Sequence, residues 1–324
     1  MTEKPLCSLI VINYNGREIL PKCLDSIYSQ SYKNFEVIVV DNGSSDGSSE
    51  LVRAKYPEVK LILLKKNYGY ARATNLALKH SKGEVILILN NDVILFQKFL
   101  ENAIKVILKP KYKDYKIFSG IQLPVQNTNT VWDLMCYCRV GLYDYGYWKS
   151  EVIESLFCSG ACLIIYKDWI ESLGYLFDDS FFMFSEDLDL SLRSAFLGGK
   201  IGYIRSAKLF HVYGTTWKKQ KLKVERMITC NDLLTFYKNF STCYFLKILM
   251  VRITHTFLAS LLSFDSAFLK EGLFGFILFL KKVPEFKQKR RVCLSIRKLK
   301  DEHVISMFKS KNKFSHKILK VILS

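Results

Sequence analysis

The feature that most constrains this chain is a series of short runs, apolar through and through, separated by stretches long enough to be helices. The runs are Ser8–Ile12, Phe35–Val40, Val59–Leu64 and Glu84–Leu89, with Ile117–Ile121 as a fifth candidate. Between them lie Glu18–Ser31, Ser48–Tyr56, Tyr70–Ser81 and Phe96–Lys109. A strand with one wet face alternates polar and apolar residues. These do not alternate, so both faces must be covered, and the spacing predicts a mainly parallel α/β sheet flanked by helices. Ligands in such sheets bind at the carboxyl edge of the strands.

Three loops at that predicted edge are polar in concert. The first strand runs into Asn13-Tyr14-Asn15-Gly16, the second into Asp41-Asn42-Gly43-Ser44-Ser45-Asp46-Gly47, and the fourth into Asn90-Asn91-Asp92. Singly, each is ordinary turn and capping chemistry. Three together place carboxylates and amides side by side, which suits a nucleotide. No Gly-x-x-x-x-Gly-Lys or Gly-x-Gly-x-x-Gly pattern follows a strand, so P-loop and dinucleotide readings lose support.

Charge divides the 324 residues unevenly. The formal net charge is +18, and residues 218–324 hold 23 Lys and Arg against 7 Asp and Glu. That last third reads as helices, over 218–240, 244–264, 267–282, 287–300 and 314–323, in which Phe, Leu and Ile alternate with Lys and Arg. Amphipathic cationic helices of this kind lie on anionic membrane surfaces; the alternative is a helical subdomain or oligomer contact with a solvated basic side. The apolar stretches 253–264 and 272–280 are too short to span a bilayer, and no signal-peptide core follows the N-terminus. A cytoplasmic location, peripheral at the inner face of the membrane, is expected. The nine cysteines, among them the near pairs Cys136 with Cys138 and Cys158 with Cys162, read as small apolar fillers in a reducing compartment rather than metal ligands.

The segments 11–15, 39–47, 67–75 and 89–92, in that order, resemble family 2 glycosyltransferases of the GT-A fold, over about residues 6 to 217 and most closely the rhamnosyltransferase-like branch. The resemblance implies a GT-A, Rossmann-like domain over 1–217, followed by the basic helical region 218–324. It also implies a donor site for a nucleoside diphosphate sugar of UDP or dTDP type. There Asp41 would accept hydrogen bonds from the base, Asn13, Asn15 and Asn91 would line the pocket, and Arg72 and Asn75 would lie near the diphosphate or ribose. Asp92 matches the last position of the Asp-x-Asp metal motif, whose first position is here Asn90. A hard divalent cation, Mg²⁺ or Mn²⁺, suits one carboxylate with diphosphate oxygens and water.

Phe181 to Leu190 passes from an apolar run into a helix, with Leu188, Leu192, Ala195 and Phe196 recurring on one face. Glu186 and Asp187 then stand at the helix entrance, where acids also simply complement the macrodipole. The resemblance to the family's Glu-Asp motif makes the pair catalytic, with Asp187 as the base. A helix entrance favours the ionised carboxylate that a base requires. His211 closes an apolar stretch that reads as a strand; a lone His is commonly structural, whereas the resemblance implies a His that ligates the metal or contacts the diphosphate, and a metal ligand beside Asp92 is expected. The resemblance also implies that Ser159, Gly160 and Trp217 lie on the acceptor side, although small residues before a strand are often just tight packing; Trp132, Trp148 and the tyrosines of 137–147 are candidates to stack on sugar faces, with core or loop anchoring the commoner fate.

The function the resemblance implies is an inverting, metal-dependent hexosyl transfer from a nucleotide sugar to a hydroxyl of a glycan or lipid-linked acceptor, as in polysaccharide biosynthesis. Two alternatives compete. A nucleic-acid-binding protein would use the basic region, though no recognition motif accompanies the charge. A sugar-phosphate nucleotidyltransferase would need a Gly-rich basic loop after the first strand, for which Asn15-Gly16-Arg17 is a poor substitute.

Overall fold

The computed structural model describes residues 4–123, 150–212, 221–263 and 266–309. The chain divides into two compact units, Met1–Phe182 with Gly199–Tyr213, and Met183–Gly198 with Gly214–Ser324. The segment bearing Glu186 and Asp187 thus counts with the helical unit.

The first unit is a sheet with covering helices. Its strands are β1 Cys7–Asn13, β2 Phe35–Asp41, β3 Lys60–Leu63, β4 Val85–Asn90, β5 Val93–Leu95, β6 Tyr115–Leu123, β7 Val152–Ser155, β8 Cys162–Tyr166 and β9 Lys200–His211. Its helices are α1 Leu20–Tyr28, α2 Ser48–Lys55, α3 Tyr70–Leu78, α4 Phe99–Ile107 and α5 Lys167–Leu173. Strand order is β3-β2-β1-β4-β8-β6-β9-β5, with β7 pairing β9. The four strands anticipated from sequence form one parallel block, β3-β2-β1-β4. Beyond β4 the sheet becomes mixed, because β8 runs antiparallel to β4 and β6. Every residue of β1 is buried, as a central strand covered on both faces demands. Leu20, Cys23, Leu24 and Ile27 of α1 recur at helical spacing and enter that core.

Register decides the site. In the parallel block Asn13 pairs with Asp41, and Ile12 with Asn90, so the three polar loops leave one edge side by side. On the antiparallel side Val93 pairs with His211 and the Val212 N–H donates to the Asp92 carbonyl (2.9 Å). That pairing carries the end of β9 to the start of β5.

The second unit is helical: α6 Glu186–Phe196, α7 Lys221–Asn239, α8 Thr242–Ser263, α9 Ser266–Ile296 and α10 Asp301–Lys309. Helices α7 and α9 approach closely at Gly275, where a Cβ would lie 2.7 Å from Thr229 Cβ and 2.8 Å from the Arg226 carbonyl oxygen. Phe279, Phe286 and Cys293, at seven-residue intervals on one face of α9, are buried. The two separate helices anticipated over 267–282 and 287–300 are one continuous helix running through Pro284. Proline removes the hydrogen bond to the carbonyl four residues back. That carbonyl belongs to Leu280, a residue that is 66% exposed. No helix among the described residues is long and apolar enough to cross a membrane.

Candidate functional site

In the first unit, the edge of the parallel block holds a chain of side-chain hydrogen bonds built from the predicted donor residues. Asn91 Nδ2 donates to Asn13 Oδ1 (2.8 Å), and Asn13 Nδ2 lies within donating distance of Asp41 Oδ2 (3.1 Å) and Ser48 Oγ (2.9 Å). Ser48 Oγ also reaches Asp41 Oδ2 (3.2 Å), and the Ser44 N–H donates to Asp41 Oδ1 (2.8 Å). The Asp41 carboxylate is therefore buried and aimed. Each carboxylate oxygen has about two lone-pair sites, so Oδ1 retains acceptor capacity for a further N–H. Gly16 leaves room for this bond, because a Cβ there would come within 2.3 Å of Asn13 Oδ1 and 2.2 Å of Asn91 Nδ2 and would have to push the two side chains aside.

Asn15 takes a left-handed conformation (φ 51°), which Asn tolerates better than most residues. Its N–H donates to Ser44 Oγ and its Oδ1 accepts from the Ser45 N–H, both at 2.9 Å, joining the first two loops. Arg72 is exposed, its guanidinium 5.1 Å from the centre of the Tyr68 ring. Asn75 ties α3 to the following chain: Nδ2 donates to the Phe177 carbonyl (2.7 Å) and Asp179 Oδ1 (2.6 Å), and Oδ1 accepts from the Phe177 N–H (3.1 Å). Ser159 Oγ accepts from the Ala161 N–H, and the carbonyl of buried Gly160 accepts from the Tyr70 hydroxyl (2.7 Å). Trp217, Trp132, Trp148, the tyrosines of 137–147 and Cys136 with Cys138 lie outside the described residues. Cys158 and Cys162 are buried, and burial pushes the Cys162 thiol up to about 12, which keeps it protonated.

The two predicted metal ligands meet. His211 Nε2 lies 3.0 Å from Asp92 Oδ1, and both residues are buried. Despite that approach, Asp92 Oδ1 receives no well-aligned hydrogen bond among the described residues. An imidazole nitrogen, with a buried carboxylate oxygen free to coordinate, is a donor set that a divalent cation can use.

In the second unit, Glu186 and Asp187 open α6, as anticipated. Their environments differ. Glu186 is buried, its Oε2 has no hydrogen-bond partner among the described residues, and burial, then the adjacent Asp187 charge, raises its pKa to about 8. Asp187 is half-buried, and its Oδ1 accepts from the Leu188 N–H (2.8 Å). Desolvation disfavours the charged form, so the buried Glu186 carboxyl keeps its proton to a higher pH than an exposed one would.

Sequence reasoning passed over Asn42, whose Nδ2 lies within 3.2 Å of Asn67 Oδ1 and the Gly69 carbonyl while its Oδ1 accepts from the Tyr68 N–H. It holds the loop before α3. It also passed over Asn231 and Asp232, a buried polar pair in α7 followed by buried Leu233 and Leu234. Two adjacent polar residues beside apolar ones in a helix were the available signal.

The sequence pattern of Glycosyl transferase family 2 matches residues 8–174, which is more than half of the chain. The chain belongs to this family. An uncharacterized glycosyltransferase of Rickettsia prowazekii is 31% identical over 192 residues, covering 57% of each protein. The glycosyltransferase AglE of Haloferax volcanii is 33% identical over 108 residues, 32% of this chain and 36% of that protein. The match therefore spans little more than half of the first relative and about a third of the second. Among solved structures, the mannosyltransferase PcManGT from Pyrobaculum calidifontis, in complex with GDP-Man and Mn²⁺, superposes with a TM-score of 0.57 at 18% identity. That match covers 99% of this chain and 86% of that one. TarS of S. aureus, residues 1–349 with UDP, gives 0.53 at 18% identity over 98% and 88%. The fold of this family 2 chain is accordingly of the GT-A kind.

Proposed function

We propose that this family 2 chain transfers a sugar from a nucleoside diphosphate donor to a hydroxyl of a glycan or lipid-linked acceptor by one inverting displacement. The observation that carries the reading is the hydrogen-bonded series Asn91–Asn13–Asp41 at the carboxyl edge of the parallel strands, with Asp92 next in sequence. Asp41 would accept from the ring N–H of a uracil- or thymine-type base, and Asn13 fixes the carboxylate's orientation before the donor arrives. Asp92 and His211 would hold Mg²⁺ or Mn²⁺, which supplies charge neutralisation on the departing diphosphate. Asp187 would take the proton from the acceptor hydroxyl as that oxygen attacks the anomeric carbon. Neutral Glu186 adds no second negative charge beside it. Because one displacement suffices, no covalent sugar intermediate forms and the anomeric configuration inverts.

The relatives named above, glycosyltransferases by name, support this reading, as does the presence of GDP-Man and Mn²⁺ on one structural neighbour and UDP on another. The test is a thermal-shift panel of UDP-, dTDP- and GDP-sugars, with rhamnose donors included, in Mn²⁺ and in chelator. A ligand at 100 times its Kd stabilises by about 2.7 kcal/mol. One donor class should raise the melting temperature, more in Mn²⁺ than in chelator. No response to any sugar nucleotide, with steeply salt-dependent binding to RNA or DNA, would favour the nucleic-acid alternative. Pyrophosphate release from a nucleoside triphosphate and a sugar phosphate would favour the nucleotidyltransferase.

A second proposal concerns location. In α8, Leu246, Met250 and Ile253, and in α9, Leu273, Ile277 and Leu280, are exposed at i, i+4, i+7 spacing. We infer that these stripes rest on an anionic lipid surface, as a peripheral protein would at the inner face of a membrane. The strongly cationic composition of residues 218–324 matches such a surface and would repel a second copy of itself.

A further inference from the structure

The turn that delivers Glu186 and Asp187 is one the backbone would not choose. Phe184 (φ 68°) and Ser185 (φ 67°) are consecutive non-glycine residues in the left-handed region. Such conformations persist only where surroundings over-determine them, and they gather at functional sites. Two adjacent residues of α7 supply the surroundings. Asn231 Nδ2 donates to the carbonyls of Met183 (2.9 Å) and Phe184 (3.0 Å). Asp232 Oδ1 accepts from Ser185 Oγ (2.7 Å).

Ser185 sharpens the point. A serine at a helix N-cap ordinarily uses its oxygen to accept from a first-turn N–H. Here Ser185 stands at the N-cap of α6 and makes no such bond. Its hydroxyl donates to Asp232 instead. One turn into α6, fully buried Asp189 takes Arg193 Nε (2.9 Å) on one oxygen and Lys238 Nζ and Asn239 Nδ2 (both 2.8 Å) on the other. Residues 231, 232, 238 and 239 recur at i, i+1, i+7 and i+8, so a single face of α7 grips α6 at its entrance and again inside.

We propose that Asn231 and Asp232 are positioning residues that hold the turn 183–185, and through it the Glu186–Asp187 carboxylates, in the orientation that sugar transfer requires. The proposal rests on the reading of Asp187 as the base. It gives the helical unit a part in transfer distinct from any contact with lipid.

The test combines turnover with hydrogen exchange at the amides of residues 185–189. Asn231→Ala should lower kcat at least tenfold, leave donor KM within about twofold, and speed exchange at the start of α6. Adding Phe184→Gly should restore part of both, because glycine enters the left-handed region without penalty. Asp232→Asn keeps an acceptor for the Ser185 hydroxyl and should retain activity, whereas Asp232→Leu should behave like Asn231→Ala. Should Asn231→Ala fail to fold, Ser185→Ala, which removes one hydroxyl, is expected to show the same split of kcat from KM. Unchanged kcat and exchange in folded Asn231→Ala or Ser185→Ala would overturn the proposal, as would a glycine variant that recovers neither. If exchange responds as expected in a chain that transfers no sugar from any donor, the clamp stands and the transferase reading falls.

Discussion

Glu186 shows what a single residue can hide from its sequence. Two adjacent acids at a helix start look equivalent on paper, and the dipole favours ionisation of both. Neighbouring positions on a helix point about 100° apart, and that difference buries one carboxyl and leaves the other half-open. Folding raises the Glu186 pKa from 4.5 to about 8. The folded chain therefore holds a proton that the unfolded chain releases between those values. The resulting stabilisation is whole below about pH 4.5 and is lost as the pH climbs through about 8. Urea unfolding at about pH 6 and about pH 9 should show the native chain losing stability over that window, and Glu186→Gln losing less. Parallel losses in the two proteins would contradict the burial argument. The hydrogen-bonded group of Asn13, Asp41 and Asn91 was legible as a polar cluster because each residue directly follows or ends an apolar strand. Asn231 and Asp232 were not, since what they hold lies some 47 residues away in sequence, a partnership that only coordinates reveal.

At the scale of elements, legibility followed burial. Strands β1, β2 and β4, apolar along nearly their whole length, stood out. Strand β6 stood out less, and in the sheet its ladder against β9 carries register shifts between Tyr115 and Ile117 and between Gly120 and Ile121. Helix α9 is one element where two were expected, continuing through Pro284. The outer face of that helix carries its own prediction. Changing Leu273, Ile277 and Leu280 to Ser together removes three exposed apolar side chains and no charge. Sedimentation with vesicles of mixed phosphatidylglycerol and phosphatidylcholine should fall at least roughly tenfold, since three such side chains together outweigh the 1.4 kcal/mol that a factor of ten requires. Binding to neutral vesicles should be weaker throughout, given about 1 kcal/mol per basic residue near anionic lipid. Undiminished sedimentation of the triple variant would remove the lipid-facing role from α9.

For the molecule as a whole, the order of motifs along the chain carried more than any one of them. Four short segments in sequence pointed to a fold, and the register of β1, β2 and β4 then placed three of their loops at one edge. The mixed half of the sheet was not foreseen in detail, because β7, β8 and β9 owe their pairing to partners distant in sequence rather than to local pattern. The assignment of 183–198 to the helical unit was equally invisible, as nothing in its composition separates it from its neighbours. The claim on which the functional account turns is that Asp187 removes the acceptor's proton while the edge of the parallel strands holds the donor. The direct measurement is donor affinity and turnover in Asp187→Asn. The account predicts unchanged donor binding with turnover reduced by about 10²–10⁴-fold; native turnover in a well-folded Asp187→Asn would contradict it.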